Sequence, residues 1–151
     1  MTILAQVQSY FDREGWDYRP LEGETILRLG FRAPDNQWTC YAQTLEEDQQ
    51  FVFYSIAPVE IGVKKRRLAS EYLTRANFGL ILGCFEMEWD TGLVRCKTSI
   101  DVEDDRLSYE LFRPVVYANI FLMQRYLPGL QSVVYENVLP ERAVEMVEAE
   151  E

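Results

Sequence analysis

Residues 83–102, GCFEMEWDTGLVRCKTSIDV, carry the clearest strand pattern of the chain. The two halves of this stretch alternate apolar with polar residues around Asp90-Thr91-Gly92, and Asp and Gly are favoured turn residues. The pattern predicts a β-hairpin with one apolar face and one face of opposite charges. With Trp89 opposite Val94, the predicted charged pairs are Glu88–Arg95 and Glu86–Lys97.

The same tripeptide, Asp90-Thr91-Gly92, also surrounds the catalytic carboxylate of aspartic proteases. Those enzymes need two carboxylates that share one proton, so a chain with one motif would have to dimerise through it. Glu88-Trp89 before the motif and Leu93 after it do not fit the protease context. A tripeptide without its structural context is weak evidence, and the turn explains more of the neighbouring residues.

Upstream, three strand-like segments follow one another: ETILRLGFR, WTCYAQTL and FVFYSI. The polar segments APDNQ and EEDQQ between them have the lengths of hairpin loops. These features predict a three-stranded antiparallel meander. The middle segment has apolar or aromatic residues on both faces, so the sequence leaves open which face is buried.

Helical spacing of apolar residues predicts four helices around these strands. The third, which begins at Ser108, is apolar over most of its circumference and is therefore expected to be buried. Pro114 is expected to kink it, and Pro128-Gly129 to bend or end it. The other three begin at Thr2, near Val63 and at Pro140.

The predicted order is therefore α-β-β-β-α-β-β-α-α, within one domain over residues 1–151. This order indicates the α+β class: an antiparallel five-stranded sheet, made of the three-stranded meander plus the hairpin, packed with helices.

Composition narrows the classes of function. The formal net charge is −10, with 25 acidic and 15 basic residues, and such a chain repels phosphate backbones. Nucleic acid and membrane are therefore not expected as partners. The N-terminus lacks the features of a signal peptide and no apolar run has the length of a membrane span, so the sequence predicts a cytoplasmic protein.

The chain contains no histidine and three cysteines, Cys40, Cys84 and Cys96. The absence of histidine removes the usual general base and the commonest metal ligand. The cysteines form no CxxC pair, and no phosphate loop or nucleophile elbow is present. We therefore expect a non-enzymatic protein without metal or cofactor.

One basic block interrupts the acidic sequence: Lys64, Lys65, Arg66 and Arg67. Such runs are usually solvated helix surface, and that interpretation is favoured. A docking patch for an acidic segment of a partner is the alternative.

The second half of the chain resembles the YbjN family of bacterial proteins, and its cyanobacterial members most closely. The resemblance lies in EYLTRANFGLILGCFEMEWDTGLVRCKTSIDVE, in Tyr117-Ala118-Asn119 and in RYLPGLQSVVYENVLPERAVEMVE. It implies a fold similar to the small acidic chaperones of type III secretion, and frequent dimers. Members are often described as sensory transduction regulators. No catalytic residues come with the resemblance.

The leading functional hypothesis is a chaperone-like adaptor or assembly factor that binds a segment of a partner protein. The alternative is a regulatory domain with a small-molecule pocket between sheet and helices. A homodimer is expected, because the third helix is apolar on more sides than one sheet can cover. The residues proposed to contact protein are Lys64, Lys65, Arg66, Arg67, Tyr117 and Phe121.

Overall fold

The computed structural model of the chain describes residues 1–23 and 25–149. It shows four α-helices and one antiparallel sheet, which confirms the α+β class. The elements in chain order are α1 (Ile3–Glu14), β1 (Arg19–Pro20), β2 (Ile26–Arg32), β3 (Gln37–Leu45), β4 (Gln50–Ile56), a 3-10 turn (Val63–Lys65), α2 (Arg66–Asn77), β5 (Cys84–Met87), β6 (Val94–Asp101), α3 (Tyr109–Tyr135) and α4 (Pro140–Glu148).

The sheet has six strands in the order β1-β2-β3-β4-β6-β5, so the predicted count of five strands is wrong. The additional strand is β1, which pairs with β2 over two residues only, Arg19 with Arg28 and Pro20 with Leu27. Two residues are too few to show alternation, and proline is tolerated in a strand at a sheet edge. The other five strands form the predicted meander and hairpin.

The two faces of the sheet differ because successive side chains point to opposite sides. On the face that we call the core face, Phe51 and Phe53 of β4 lie against Phe112 of α3 and Phe11 of α1. The even-numbered residues of β3 from Trp38 to Thr44 are buried on this face. This settles the orientation that the sequence left open.

The hairpin of β5 and β6 forms, but its register differs by two residues from the predicted one. Met87 lies opposite Val94 and Glu86 opposite Arg95, so the predicted pair of Glu88 with Arg95 is wrong. A shift of two keeps every side chain on its predicted face. In this register a single carboxylate, that of Glu86, reaches both Arg95 and Lys97.

Helix α3 runs without a break for 27 residues, through Pro114 and Pro128. The prediction that Pro128-Gly129 could end it is therefore wrong. Both prolines lie on its exposed side, where water can solvate the carbonyls that they leave unbonded. Neither α3 nor any other helix within the described residues has the length and apolarity needed to cross a membrane.

A buried amide fixes α3 on the sheet. Asn119 is fully buried, and its Nδ2 lies 2.8 Å from the backbone oxygen of Phe53 and 3.0 Å from that of Cys96. Thr98 adds a hydrogen bond of 2.6 Å from its hydroxyl to the backbone oxygen of Val115. Because buried donors need partners, these contacts set the position of α3 across β4 and β6.

Candidate functional site

The face opposite the core face, which we call the outer face, is open. The aromatic, polar and hydrogen-bond contacts between helices and strands described above all lie on the core face. On the outer face, Thr39, Tyr41 and Gln43 of β3 are half-buried and Arg28 of β2 is exposed. An antiparallel sheet can leave one face to water, but this face presents aromatic side chains as well as polar ones.

A row of side chains crosses the outer face from edge to edge. Tyr41 and Tyr54 are direct cross-strand partners at its centre. Their neighbours on either side are basic, so the two aromatic rings lie between cations. We call this row the outer row; in spatial order it is Arg19, Arg28, Tyr41, Tyr54, Lys97 and Cys84.

The next row contains a glycine in the middle of a strand. Gly30 of β2 is the partner of Thr39, which in turn is the partner of Ile56. A Cβ atom built on Gly30 would meet no atom within 4 Å. The missing side chain therefore contributes to an open depression of about 510 Å³, lined by Gly30, Phe31, Arg32, Gln37, Trp38, Thr39, Ile56, Ala57 and Pro58.

At the other end of these rows, the charges neutralise one another. The carboxylate of Glu86 accepts hydrogen bonds from Arg95 Nε at 2.6 Å and from Lys97 Nζ at 3.1 Å. The guanidinium of Arg95 also lies over the ring of Tyr54, 4.3 Å from its centroid. Partial burial tends to raise the pKa of Glu86, but these two cations outweigh it and the pKa is lowered.

A separate cleft of about 270 Å³ lies between the sheet and α3. It includes the Cys40 thiol, whose pKa burial raises to about 11, so this thiol is not a nucleophile at neutral pH. The residues that line the cleft are Trp16, Asp17, Leu29, Gly30, Phe31, Arg32, Cys40, Phe53 and Ile120. Within the described part of the chain, no three His, Cys, Asp or Glu side chains come together as a metal site would require.

The predicted basic block is divided between structural and exposed positions. Arg66 donates from Nε to the backbone oxygen of Ile61 at 3.0 Å, and Lys65 bonds to the side-chain oxygen of Asn137. Lys64 and Arg67 are exposed. Two of the four cations are therefore held by the chain itself.

Tyr117 and Phe121, the other predicted contact residues, lie one turn apart on α3 and have different surroundings. The Tyr117 hydroxyl donates to Glu14 Oε2 at 3.0 Å, and its ring packs edge-on against Trp16. Phe121 is 59% exposed. Among the described residues, no hydrogen bond, ion pair or cation–π contact joins the basic block to either of them.

Sequence reasoning missed the outer row because its members come from six strands and share no motif. The alternation in β2 already placed Arg28 and Arg32 on one face. Placing Tyr41 and Tyr54 beside them needs the register of the meander, which a pattern of single residues does not contain.

No protein-family model and no curated protein sequence matches the chain. Solved structures do match its fold. One is YbjN from E. coli, "a putative transcription regulator", with a TM-score of 0.63 and 15% identity over 88% of this chain and 92% of that one. Another is the ExsC–ExsE complex, with a TM-score of 0.51 and 16% identity over 89% of this chain and 97% of that one. At these identities the likeness establishes a shared fold.

Proposed function

We propose that this protein is a non-enzymatic binding module, a chaperone-like adaptor or assembly factor that holds an extended segment of a partner protein on its outer face. The observation that carries the proposal is Gly30, a glycine in the middle of a strand with open space above it. Glycine weakens a strand interior and often marks a place where another backbone approaches closely.

The side chains around Gly30 suit such a segment. Tyr41 and Tyr54 offer large contact areas at a low cost in conformational entropy, as tyrosines do in many binding surfaces. Thr39 and Ile56 are half-buried next to the depression beside Gly30. The surface thus combines apolar contact with hydrogen-bonding groups, which is the usual composition of non-obligate interfaces.

The structural neighbours are consistent with this proposal through the shared fold. ExsC was crystallised in a complex with ExsE, and YbjN is described as a regulator; neither is described as an enzyme. The likeness of the second half of the sequence to cyanobacterial YbjN proteins, a cytoplasmic location and the absence of a cofactor remain part of the proposal.

The test is Gly30→Val, with Gly62→Val as the matched control. Gly62 also has extended backbone and open space around it, but lies before α2. We expect Gly30→Val to stabilise the fold by about 0.5–1 kcal/mol, since it removes a strand glycine, and to abolish partner capture in a pull-down read by mass spectrometry. Capture that survives Gly30→Val, or that is lost equally in Gly62→Val, would contradict the proposal.

The 270 Å³ cleft supports a second candidate function, a regulatory domain that binds a small molecule between sheet and helices. Apolar clefts with a few polar groups are typical ligand sites, and Asp17 and Arg32 line this one. Native mass spectrometry of the purified protein tests it. A co-purifying metabolite that is absent from Ile120→Trp, which fills the cleft, would support the pocket.

Two further parts of the proposal concern contacts away from the outer face. Lys64 and Arg67 are exposed and remain candidate contacts to a partner. Lys65 and Arg66, whose side chains bond within the chain, would contribute positive charge beside them. A homodimer through the exposed side of α3, including Tyr117 and Phe121, also remains a proposal.

A further inference from the structure

Two arginines lie directly opposite each other at the open end of the outer row. Arg19 of β1 and Arg28 of β2 are cross-strand partners, and both are exposed. Like charges in this position destabilise a sheet. The chain has 25 acidic residues, and yet neither arginine forms an ion pair with any described residue.

The two arginines share one depression on the surface, of about 370 Å³. Gly30 and Thr39 of the neighbouring row also line it, so it adjoins the depression beside Gly30. Among the described residues that line it, Asp17 is the only acidic one, and it forms no ion pair with either arginine. The full lining is Asp17, Tyr18, Arg19, Arg28, Leu29, Gly30 and Thr39.

The rest of the outer face differs in its charges. Arg95 and Lys97 share the carboxylate of Glu86, whereas Arg32, two residues beyond Gly30, has no ion pair among the described residues. Three cations, Arg19, Arg28 and Arg32, therefore stand around Gly30 without an ion pair to any described residue, on a protein whose net charge is −10. A carboxylate or a similar anion would complement all three.

We propose that the segment held on the outer face is acidic, and that its Glu or Asp side chains bind to Arg19 and Arg28. This inference rests on the proposed function and adds the chemistry of the partner. Arginine forms paired, charge-assisted hydrogen bonds with carboxylates. A segment with a few carboxylates matches the number of these three cations. A nucleic-acid backbone would instead place further negative charge over the acidic surface around them, which would repel it.

The experiment uses fluorescein-labelled ten-residue peptides of alternating Ser and Glu, with a Ser–Gln peptide as the neutral control and a ten-residue oligothymidylate as the nucleic-acid control. Binding is measured by fluorescence anisotropy at 50 and 300 mM NaCl. The test variant is Arg19→Gln/Arg28→Gln. The matched control is Arg106→Gln/Arg142→Gln, which removes the same charge from exposed positions elsewhere.

We expect the Ser–Glu peptide to bind the wild type more tightly than either control ligand, and more weakly at high salt. The Arg19/Arg28 variant should weaken that binding at least tenfold, and the Arg106/Arg142 variant less than twofold. Equal losses in both variants, no binding of the Ser–Glu peptide, or tighter binding of the oligothymidylate would overturn the inference. If Gly30→Val still abolishes partner capture in that event, the proposed function stands and only the acidic chemistry is wrong.

Discussion

The side-chain amide of Asn77 pairs with the backbone of Phe85 as a neighbouring strand would. The backbone nitrogen of Phe85 donates to Asn77 Oδ1 at 2.7 Å, and Asn77 Nδ2 donates to the backbone oxygen of Phe85 at 2.8 Å. Asn77 is the last residue of α2, and Phe85 lies in β5, the edge strand of the sheet. The end of α2 therefore closes an edge that would otherwise be free to pair with another chain.

The first prediction concerns this contact. Asn77→Ala removes two partly buried hydrogen bonds and leaves both backbone groups of Phe85 without a partner, so we expect a loss of about 1–3 kcal/mol in the free energy of unfolding. Urea unfolding measures it. Thr74→Ala, at an exposed position one turn earlier, should stay within about 0.5 kcal/mol of the wild type. Equal effects of the two substitutions would show that the Asn77 contact does not stabilise the edge.

The second prediction tests the hairpin register through pH. The pKa of Glu86 is lowered in the folded protein, so its ion pairs contribute stability above the ordinary glutamate pKa of about 4.3. That contribution is lost as the pH falls through the lower, folded-state pKa. Between pH 7 and pH 3, the free energy of unfolding should therefore fall less in Glu86→Gln than in the wild type. The difference should be at most ~1 kcal/mol, because these ion pairs are partly exposed.

Glu88→Gln is the control, measured by the same urea unfolding at both pH values. Glu88 is exposed. It closes the hairpin loop through its backbone nitrogen, which donates to the backbone oxygen of Leu93 at 2.8 Å, and not through its carboxylate. We expect Glu88→Gln to follow the wild type at both pH values. If Glu88→Gln instead flattened the pH dependence, Glu88 would be the partner of Arg95, as the sequence alone suggests.

The third prediction separates the residues of the Asp-Thr-Gly turn. Asp90 is exposed, whereas Gly92 has a φ of 77° and an added Cβ would lie 2.1 Å from the backbone oxygen of Ile61. Asp90→Asn should cost at most ~1 kcal/mol and leave partner binding intact. Gly92→Ala should cost about 2–4 kcal/mol through strain and overpacking. Loss of partner binding in a stable Asp90→Asn protein would mean that the turn has a functional role.

How far the sequence predicted this structure depended on the range of each interaction. Alternation identified β2, β3, β4, β5 and β6, and helical spacing identified four helices, because both signals are local. The hairpin register was wrong because Glu86 and Glu88 satisfy the same alternation, and the loop that sets the pairing also approaches Ile61, outside the hairpin, at Gly92. The continuity of α3 past Gly129 likewise depends on a distant residue: Tyr72 packs where a side chain at Gly129 would lie.

The candidate site was less predictable than the fold for the same reason. Arg28 could be placed on the polar face of its strand from the sequence alone. Its position opposite Arg19 could not, because β1 is two residues long and gives no pattern. The basic block was interpreted as solvated helix surface, but Lys65 and Arg66 bond to Asn137 and Ile61, outside its own helix, which the sequence could not show.

The last prediction concerns self-association through α3. By helical spacing, Tyr117, Phe121 and Met123 cannot all face the sheet together with the other apolar residues of α3. Met123 is buried within the chain, and Tyr117 is bonded to Glu14 of α1, so of these three only Phe121 is largely exposed. Phe78 and Ile81, which lie between α2 and β5, are also exposed.

Covering a large exposed apolar side chain stabilises an assembly by up to about 1.5–3 kcal/mol. We therefore expect the wild type to be a dimer in sedimentation equilibrium at tens of micromolar and Phe121→Glu to be a monomer of unchanged stability. Ser99→Glu adds the same charge at an exposed position on the outer face, on the other side of the sheet from α3, and should remain dimeric. A monomeric wild type would show that Phe121 stays exposed to water or serves another partner, and that the homodimer is wrong.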